Sequence, residues 1–219
     1  MINISVSRRF LLGCDLAKSL DFTSFAVIDM EKDPKVGDYV YHLVALDRIK
    51  GVEYPKITEL IISTVHKLAE ECKRTGAGGP HLCMDASGLG APIKDYLKQA
   101  HVFIHGRQIF PVVFCGGESA RFDVKSCNYN ISKTLIISNF LSLMQHRRFD
   151  FAPDLEALPL LEKEIGSFKY HLTSSGHTGF DAESGAHDDL ICAVAIPLII
   201  GEWRFKQCVV KAGPKPAGM

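Results

Sequence analysis

Apolar and polar positions alternate along this chain in an order that predicts strands first and helices later. Phe10 to Cys14 is a short apolar run ending on Asp15, and a second run, Thr23 to Met30, follows at hairpin distance. Tyr39 to Ile49 mixes aromatic and β-branched residues and reads as a third strand, antiparallel to the second. Ile57, Leu60, Ile61, Thr64, Leu68 and Cys72 then recur at helical spacing, so a helix is expected from near Pro55 to just before Gly76. His81 to Met84 is a further strand, ending on Asp85, and Pro92 to Gln99 reads as a helix. A helix after a strand makes a crossover, so the Asp85 strand should run parallel to the first.

Gln108 to Phe114 predicts another strand, which Pro111 should make irregular or confine to an edge. Gly116 to Asn130 is polar, has no clear period and is expected to be a long loop. Helices are expected over Ile131–Arg148 and Leu155–Leu161, a strand over Phe168–Leu172 and a polar loop over Thr173–Gly185. The last helix begins at Ala186 and ends near Gly201; Trp203–Val210 reads as a strand or an arm, and Gly213–Met219 as a frayed tail. The fold class expected is α/β: a mixed sheet of three antiparallel strands followed by parallel strands, flanked by helices on both faces.

Composition changes this picture little. At 219 residues, with no internal repeat and no Pro-, Gly- or Ser-rich linker, a single domain over 1–219 is expected, its core about 10–201 and its tail 202–219. Lys and Arg (25) balance Asp and Glu (25), so nucleic-acid binding cannot be argued from net charge; any basic face must be local. Seven scattered Cys without a CxxC read as free thiols in a reducing compartment. Behind Arg8 and Arg9 the apolar stretch is only Phe10 to Leu12, and no run is long enough to cross a bilayer. A soluble, intracellular protein is the expectation.

The candidate chemistry lies in the carboxylates. His187, Asp188 and Asp189 head a run too apolar for a surface helix. Carboxylates suit the first turn of a helix, but charges carried against a core need a partner or a cation. If the first strand and the Asp85 strand are parallel neighbours, their carboxyl ends place Asp15 beside Asp85, at the edge where open α/β sheets bind ligands. The last helix can bring Asp188 or Asp189 to the same place. Oxygen donors of this kind suit Mg²⁺ or Mn²⁺, and two such ions about 4 Å apart clamp a phosphodiester. Without metal, at least one of these carboxyls should have a raised pKa. Ser87-Gly88-Leu89-Gly90 lacks the Lys and the spacing of a phosphate-cradling loop. An ATP site of the sugar-kinase type needs phosphate-binding turns that Lys18–Ser24 supplies poorly.

Gly13-Cys14-Asp15-Leu16-Ala17 with Asp21 and Thr23, Met84-Asp85-Ala86-Ser87-Gly88-Leu89-Gly90, Asn130-Ile131-Ser132-Lys133 and His187-Asp188-Asp189-Leu190-Ile191-Cys192-Ala193-Val194-Ala195 follow one another in this order. In that series the chain resembles the nuclease domain of the large terminase subunit of tailed bacteriophages, within the RNase H-like superfamily. The resemblance implies an Mg²⁺- or Mn²⁺-dependent endonuclease that cuts double-stranded concatemeric viral DNA during genome packaging. It implies Asp15, Asp85 and Asp189 as metal ligands and catalytic residues, with Asp188 a close second to Asp189 and Asp21 an accessory acid. His187 would orient water or a carboxylate, or cap the helix. Lys133 would reach DNA phosphate, and Arg121, Lys125, Arg147 and Arg148 are further candidate DNA contacts. The partners implied are DNA, a terminase ATPase domain, a small terminase subunit and a portal protein, with no membrane, in a viral protein acting in the host cytoplasm.

Two departures stand out. Cys192 replaces a third acidic position of the family's last helix, which puts the second metal in doubt. No GxxxxGK[ST] sequence is present, so this chain cannot by itself drive DNA translocation. Alternatives within the same fold are a Holliday-junction resolvase or another RNase H-like nuclease. From another class comes a catalytically weakened DNA-binding or motor-docking module.

Overall fold

The computed structural model describes residues 7–16, 22–87, 90–100, 108–117, 119–172, 178–182 and 187–206. Strands β1 (Arg8–Asp15), β2 (Phe22–Asp33) and β3 (Asp38–Lys50) form an antiparallel meander. Helix α1 (Tyr54–Thr75) follows, with Pro55 in its first turn, and stops at Gly76 in the left-handed conformation (φ 71°). It crosses over to β4 (Gly78–Asp85), which pairs parallel to β1, and α2 (Gly90–Gln99) crosses over to β5 (Ile109–Cys115). Next come β6 (Ala120–Asp123), β7 (Asn128–Ser132), α3 (Lys133–Gln145), β8 (Phe149–Phe151) and α4 (Leu158–Ser167). The elements end with β9 (Phe168–Leu172), β10 (Thr178–Ala182) and α5 (Asp189–Ile200). Eight strands make one mixed sheet in the order β6-β7-β5-β4-β1-β2-β3-β8, and β9 and β10 pair antiparallel beside it.

Strand alternation divides the core between the two faces of this sheet. Phe10, Leu12, Cys14, Leu82 and Met84 face α1 and α2. Leu11, Ala26, Ile28, Met30, Tyr41 and Cys83 face α3, α4 and α5 on the other side. Helix α5 is apolar all round, and every residue from Leu190 to Ile200 is buried, so it is a core helix rather than an amphipathic one. At 12 residues it cannot span a bilayer, and among the described residues no helix is long and apolar enough to cross a membrane.

Several expectations are corrected. Pro111 sits in an interior strand, since β5 lies between β4 and β7 with regular pairing. Gln108 and Val112 carbonyls bond to β4, so the odd-numbered residues turn their backbone toward β7, where pairing starts only at Val112. The missing N–H of Pro111 therefore points past the end of that ladder. Within Gly116–Asn130 the chain forms a hairpin rather than a loop; β6 is only 4 residues long, too short for its alternation to register in the sequence. Helix α3 starts at Lys133 rather than Ile131, because Ser132 stays extended and its Oγ accepts the Leu135 N–H at 3.2 Å.

Helix α3 ends at Gln145, short of the expected Arg148, and residues 149–151, between the two expected helices, pair with β3. Helix α4 starts at Leu158, three residues later than expected, which puts Pro159 in its first turn, where proline is tolerated. Thr178–Ala182, placed in the polar loop, is a strand, and Trp203–Phe205, expected as strand or arm, extends α5 as a wider helical turn. Asp21 and the tail Gly213–Met219 lie outside the described residues.

Candidate active site at the carboxyl edge of the sheet

Asp15 and Asp85 end β1 and β4, whose parallel register pairs Cys14 with Met84 immediately before them. Asp15 has the parity of Leu11 and Gly13, and Asp85 that of Cys83, so both project to the face on which α5 packs. Ser24 stands opposite Asp15 on β2 and shares that face. Its buried Oγ has no hydrogen-bond partner among the described residues.

Two features seat α5 against this edge. A Cβ on Gly13 would lie 1.9 Å from the Ala193 carbonyl oxygen and 2.8 Å from the Pro197 ring, so only glycine lets the strand approach the helix so closely. Pro197 has no N–H for that Ala193 carbonyl, four residues earlier, and the helix opens there toward the strand. At the far end, Glu202 accepts Tyr41 OH at 2.6 Å and Arg148 Nη1 at 3.1 Å, while Arg148 Nε donates to the Tyr39 carbonyl at 2.8 Å.

At the near end, Glu164 of α4 caps α5. Its Oε2 accepts the Ile191 N–H at 3.0 Å, and Arg48 lies 3.7 Å from its other oxygen. Arg48 in turn covers the Phe22 ring at 4.2 Å, and Phe22 meets the His187 ring edge-on at 5.4 Å. Glu164 lies three residues beyond the helix expected over Leu155–Leu161. Its spacing from Asp189 says nothing of the contact, because α4 and α5 are brought together by the fold.

So placed, the helix start delivers Asp188 and Asp189 to Asp15 and Asp85. Burial raises Asp15 well above the ordinary carboxyl range, and the charges of Asp85, Asp189 and Asp188 raise it further. Burial also raises Asp85, against the pull of the Ser87 N–H 2.7 Å away and of Lys133. Lys133, the first residue of α3, ion-pairs with Asp188 and lies 6.0 Å from the Phe114 ring. Burial works against its charge, but the carboxylates of Asp188 and Asp15 outweigh that and hold its pKa above the usual lysine value. Burial, then Asp15, raises the Cys192 thiol far out of the range in which it would ionise. A neutral sulfur is a poor donor to a hard divalent ion. His187 is half exposed, its Nδ1 3.6 Å from Asp189.

Of the other candidates, Arg121 and Lys125 lie on the β6–β7 hairpin at the edge of the sheet. Arg147 and Arg148 follow the last turn of α3, about 20 Å along that helix from Lys133. Arg148 is held by Glu202, Asp38 and the Tyr39 carbonyl.

In chemistry this donor set fits a hard divalent ion: all-oxygen, like-charged and facing an orphaned hydroxyl. Among the described residues, no three His, Cys, Asp or Glu side chains already stand close enough to share one ion. Lys133 supplies the positive charge in the arrangement seen, and ligation requires the carboxylates to rotate toward a common point.

No family model and no curated protein matches the chain. Solved structures do. The nuclease domain of the large terminase of Thermus phage P74-26 superposes with a TM-score of 0.56 at 19% identity, over 90% of this chain and 82% of that one. The chain has the fold of the terminase nuclease domains. The large terminase nuclease of thermophilic phage G20c, solved with bound magnesium, gives a TM-score of 0.54 at 19% identity, over 88% and 81% of the two chains. The human cytomegalovirus terminase nuclease domain, soaked with manganese, gives 0.55 at 13% identity, over 90% and 86%. The terminase nuclease fold expected from the motif series is therefore the one observed, at low sequence identity.

Glu164 gives this site a pH signature. Burial and then the Asp189 charge push its carboxyl up to about 7, against the backbone N–H groups it accepts and Arg48. A folded pKa above the unfolded value near 4.3 means that its contribution is full below that value and is lost as pH rises through about 7. In metal-free buffer the melting temperature is expected to fall as pH rises across this window. Glu164→Gln, which keeps a carbonyl for the Ile191 N–H, should flatten the fall by about 5 °C, on the order of 2 kcal/mol. Thermal melts of both proteins at the two ends of the window check this; parallel curves would show that Glu164 ionises normally.

Proposed function

We propose that the protein is a divalent-metal-dependent nuclease that hydrolyses double-stranded DNA during viral genome packaging. The observation that carries this reading is the convergence of Asp15, Asp85 and Asp189, from three separate elements, on one edge of a sheet with the terminase nuclease fold. Asp15, Asp85 and Asp189 would hold the metal. Asp188 is the reserve ligand, released when Lys133 turns to a DNA phosphate. Two Mg²⁺ or Mn²⁺ ions held there would supply an activated water and neutralise the leaving oxygen.

The chain's own residues do the rest. Glu164 and the Gly13–Pro197 contact aim the start of α5. The neutral Cys192 thiol leaves the second ion with fewer hard donors than the first. His187, half exposed and beside Asp189, orients a water or the Asp189 carboxylate. As a packaging nuclease it would act in the host cytoplasm with a terminase ATPase domain, a small terminase subunit and a portal protein.

Plasmid nicking in Mn²⁺ tests the reading. Asp85→Asn and Asp189→Asn should each lower the rate by about a hundredfold or more, and Asp188→Asn by less. Nicking that persists unchanged in both of the first two variants would sink the proposal. Strong preference for a four-way junction over a plasmid would move the protein to the resolvase class.

A further inference from the structure

A second concavity lies away from the carboxylates, where the start of β5, the β6–β7 hairpin and the turn after α5 meet. It is an open groove of about 780 Å³, and its charged lining is Lys98, Arg121 and Arg204. Among the described residues no acidic one lines it, and none of these three cations forms an ion pair. Asp123, on the same strand as Arg121, turns its carboxylate to the Lys125 N–H at 2.9 Å. The rest of the lining is rich in rings. Tyr129 packs 4.8 Å from Phe122 and 6.0 Å from Phe110, Trp203 adds an indole, and Phe122 is 48% exposed.

Behind this wall Phe205 stacks on His81 at 5.1 Å and carries the Arg9 guanidinium at 4.7 Å. Burial, then Arg9 and Arg204, push His81 down to about 4.

Cations interleaved with accessible ring faces match a single nucleic-acid strand, whose phosphates seek the charges while unpaired bases stack on the rings. A duplex hides its base faces, and an acidic peptide leaves the ring surfaces unfilled. Tyr129 and Lys133 are four residues apart in the chain, so groove and carboxylate edge lie roughly 13 Å apart along β7. We propose that this groove binds a single-stranded segment of DNA, with phosphates on Lys98, Arg121 and Arg204 and bases on Phe122, Tyr129 and Trp203. That the segment belongs to the cleaved substrate rests on the nuclease reading; the binding itself does not.

The test is fluorescence anisotropy of a labelled oligothymidylate of about 20 nucleotides, with the whole chain, in EDTA, across a salt series. Arg121→Ala and Arg204→Ala should each reduce the slope of log affinity against log salt by about 0.7, as expected for one lost phosphate contact. Phe122→Ala should weaken binding about tenfold with the slope unchanged. All three positions are at the surface, so melting curves should match the wild type. Asp15→Asn should bind the oligonucleotide normally while losing nicking, so failure of the nuclease reading leaves these shifts intact. Unchanged slope and affinity in all three groove variants would overturn the proposal. So would a blunt duplex bound more tightly and insensitive to Phe122→Ala. Binding of a polyglutamate peptide but not of the oligonucleotide, lost in Arg121→Ala, would assign the groove to an acidic protein partner instead.

Discussion

Asp15→Asn is expected to stabilise the metal-free protein while erasing the stabilisation that Mn²⁺ gives the wild type. Burial and three neighbouring carboxylates raise the Asp15 carboxyl, so its charged form is unfavourable in the fold. Such a group contributes fully below the unfolded Asp pKa near 3.9, and that contribution disappears as pH rises through the raised folded value. At alkaline pH the carboxylate is therefore a burden that an isosteric amide removes. The melting temperature without metal should rise by about 3 °C at alkaline pH and change little near pH 4.

Bound Mn²⁺ would invert this balance, because a cation held there would stabilise the same cluster in proportion to its affinity for the folded state. The wild type should melt higher in millimolar Mn²⁺, and Asp15→Asn should not respond. Paired melts with and without Mn²⁺ decide the matter. A wild type whose melting temperature stays flat across the metal series would argue against a formed site.

Gly13→Ala carries the largest expected loss of stability. A Cβ at 1.9 Å from the Ala193 carbonyl and 2.8 Å from the Pro197 ring meets backbone and a rigid ring, neither of which can step aside. Overpacking a core costs about 1–3 kcal/mol where side chains can yield, so about 3 kcal/mol or more is expected here. That is a fall in melting temperature of about 10 °C for a chain of this size. Because the displaced element is α5, the substitution should also weaken nicking by moving Asp189 from Asp15. A control is Gly37→Ala: this glycine has φ 74° but open space around its Cβ position, so its loss should stay near 1 kcal/mol. Equal losses at the two positions would show that strand and helix are not in such close contact.

The groove and the carboxylate edge give the two ends of the molecule opposite electrostatic character on a chain whose formal charge is zero. Net charge could not reveal this, because charges distant in sequence cancel in the sum while remaining apart in space. Lys98, Arg121 and Arg204 come from three elements, and only the fold gathers them.

What the sequence by itself determined is the local layer. The apolar and β-branched runs of β1 to β4, the helical period of α1 and the apolar run of α5 predicted their elements closely, because each depends on neighbours a few residues away. Asp15, Asp85 and the Asp188–Asp189 pair were legible for the same reason, as charges that interrupt apolar runs at element ends. Short pieces such as β6 and β8 were not, since three or four residues hold too little pattern. The tertiary structure alone decided which charges meet. It drew Arg148 into a pair with Glu202 and set Glu164 as the cap at the start of α5. It also seated α5 on the one sheet face shared by Asp15 and Asp85, through a glycine against a proline-opened turn. Those choices rest on packing between residues up to about 180 positions apart, and no periodicity along the chain encodes which distant surfaces will touch.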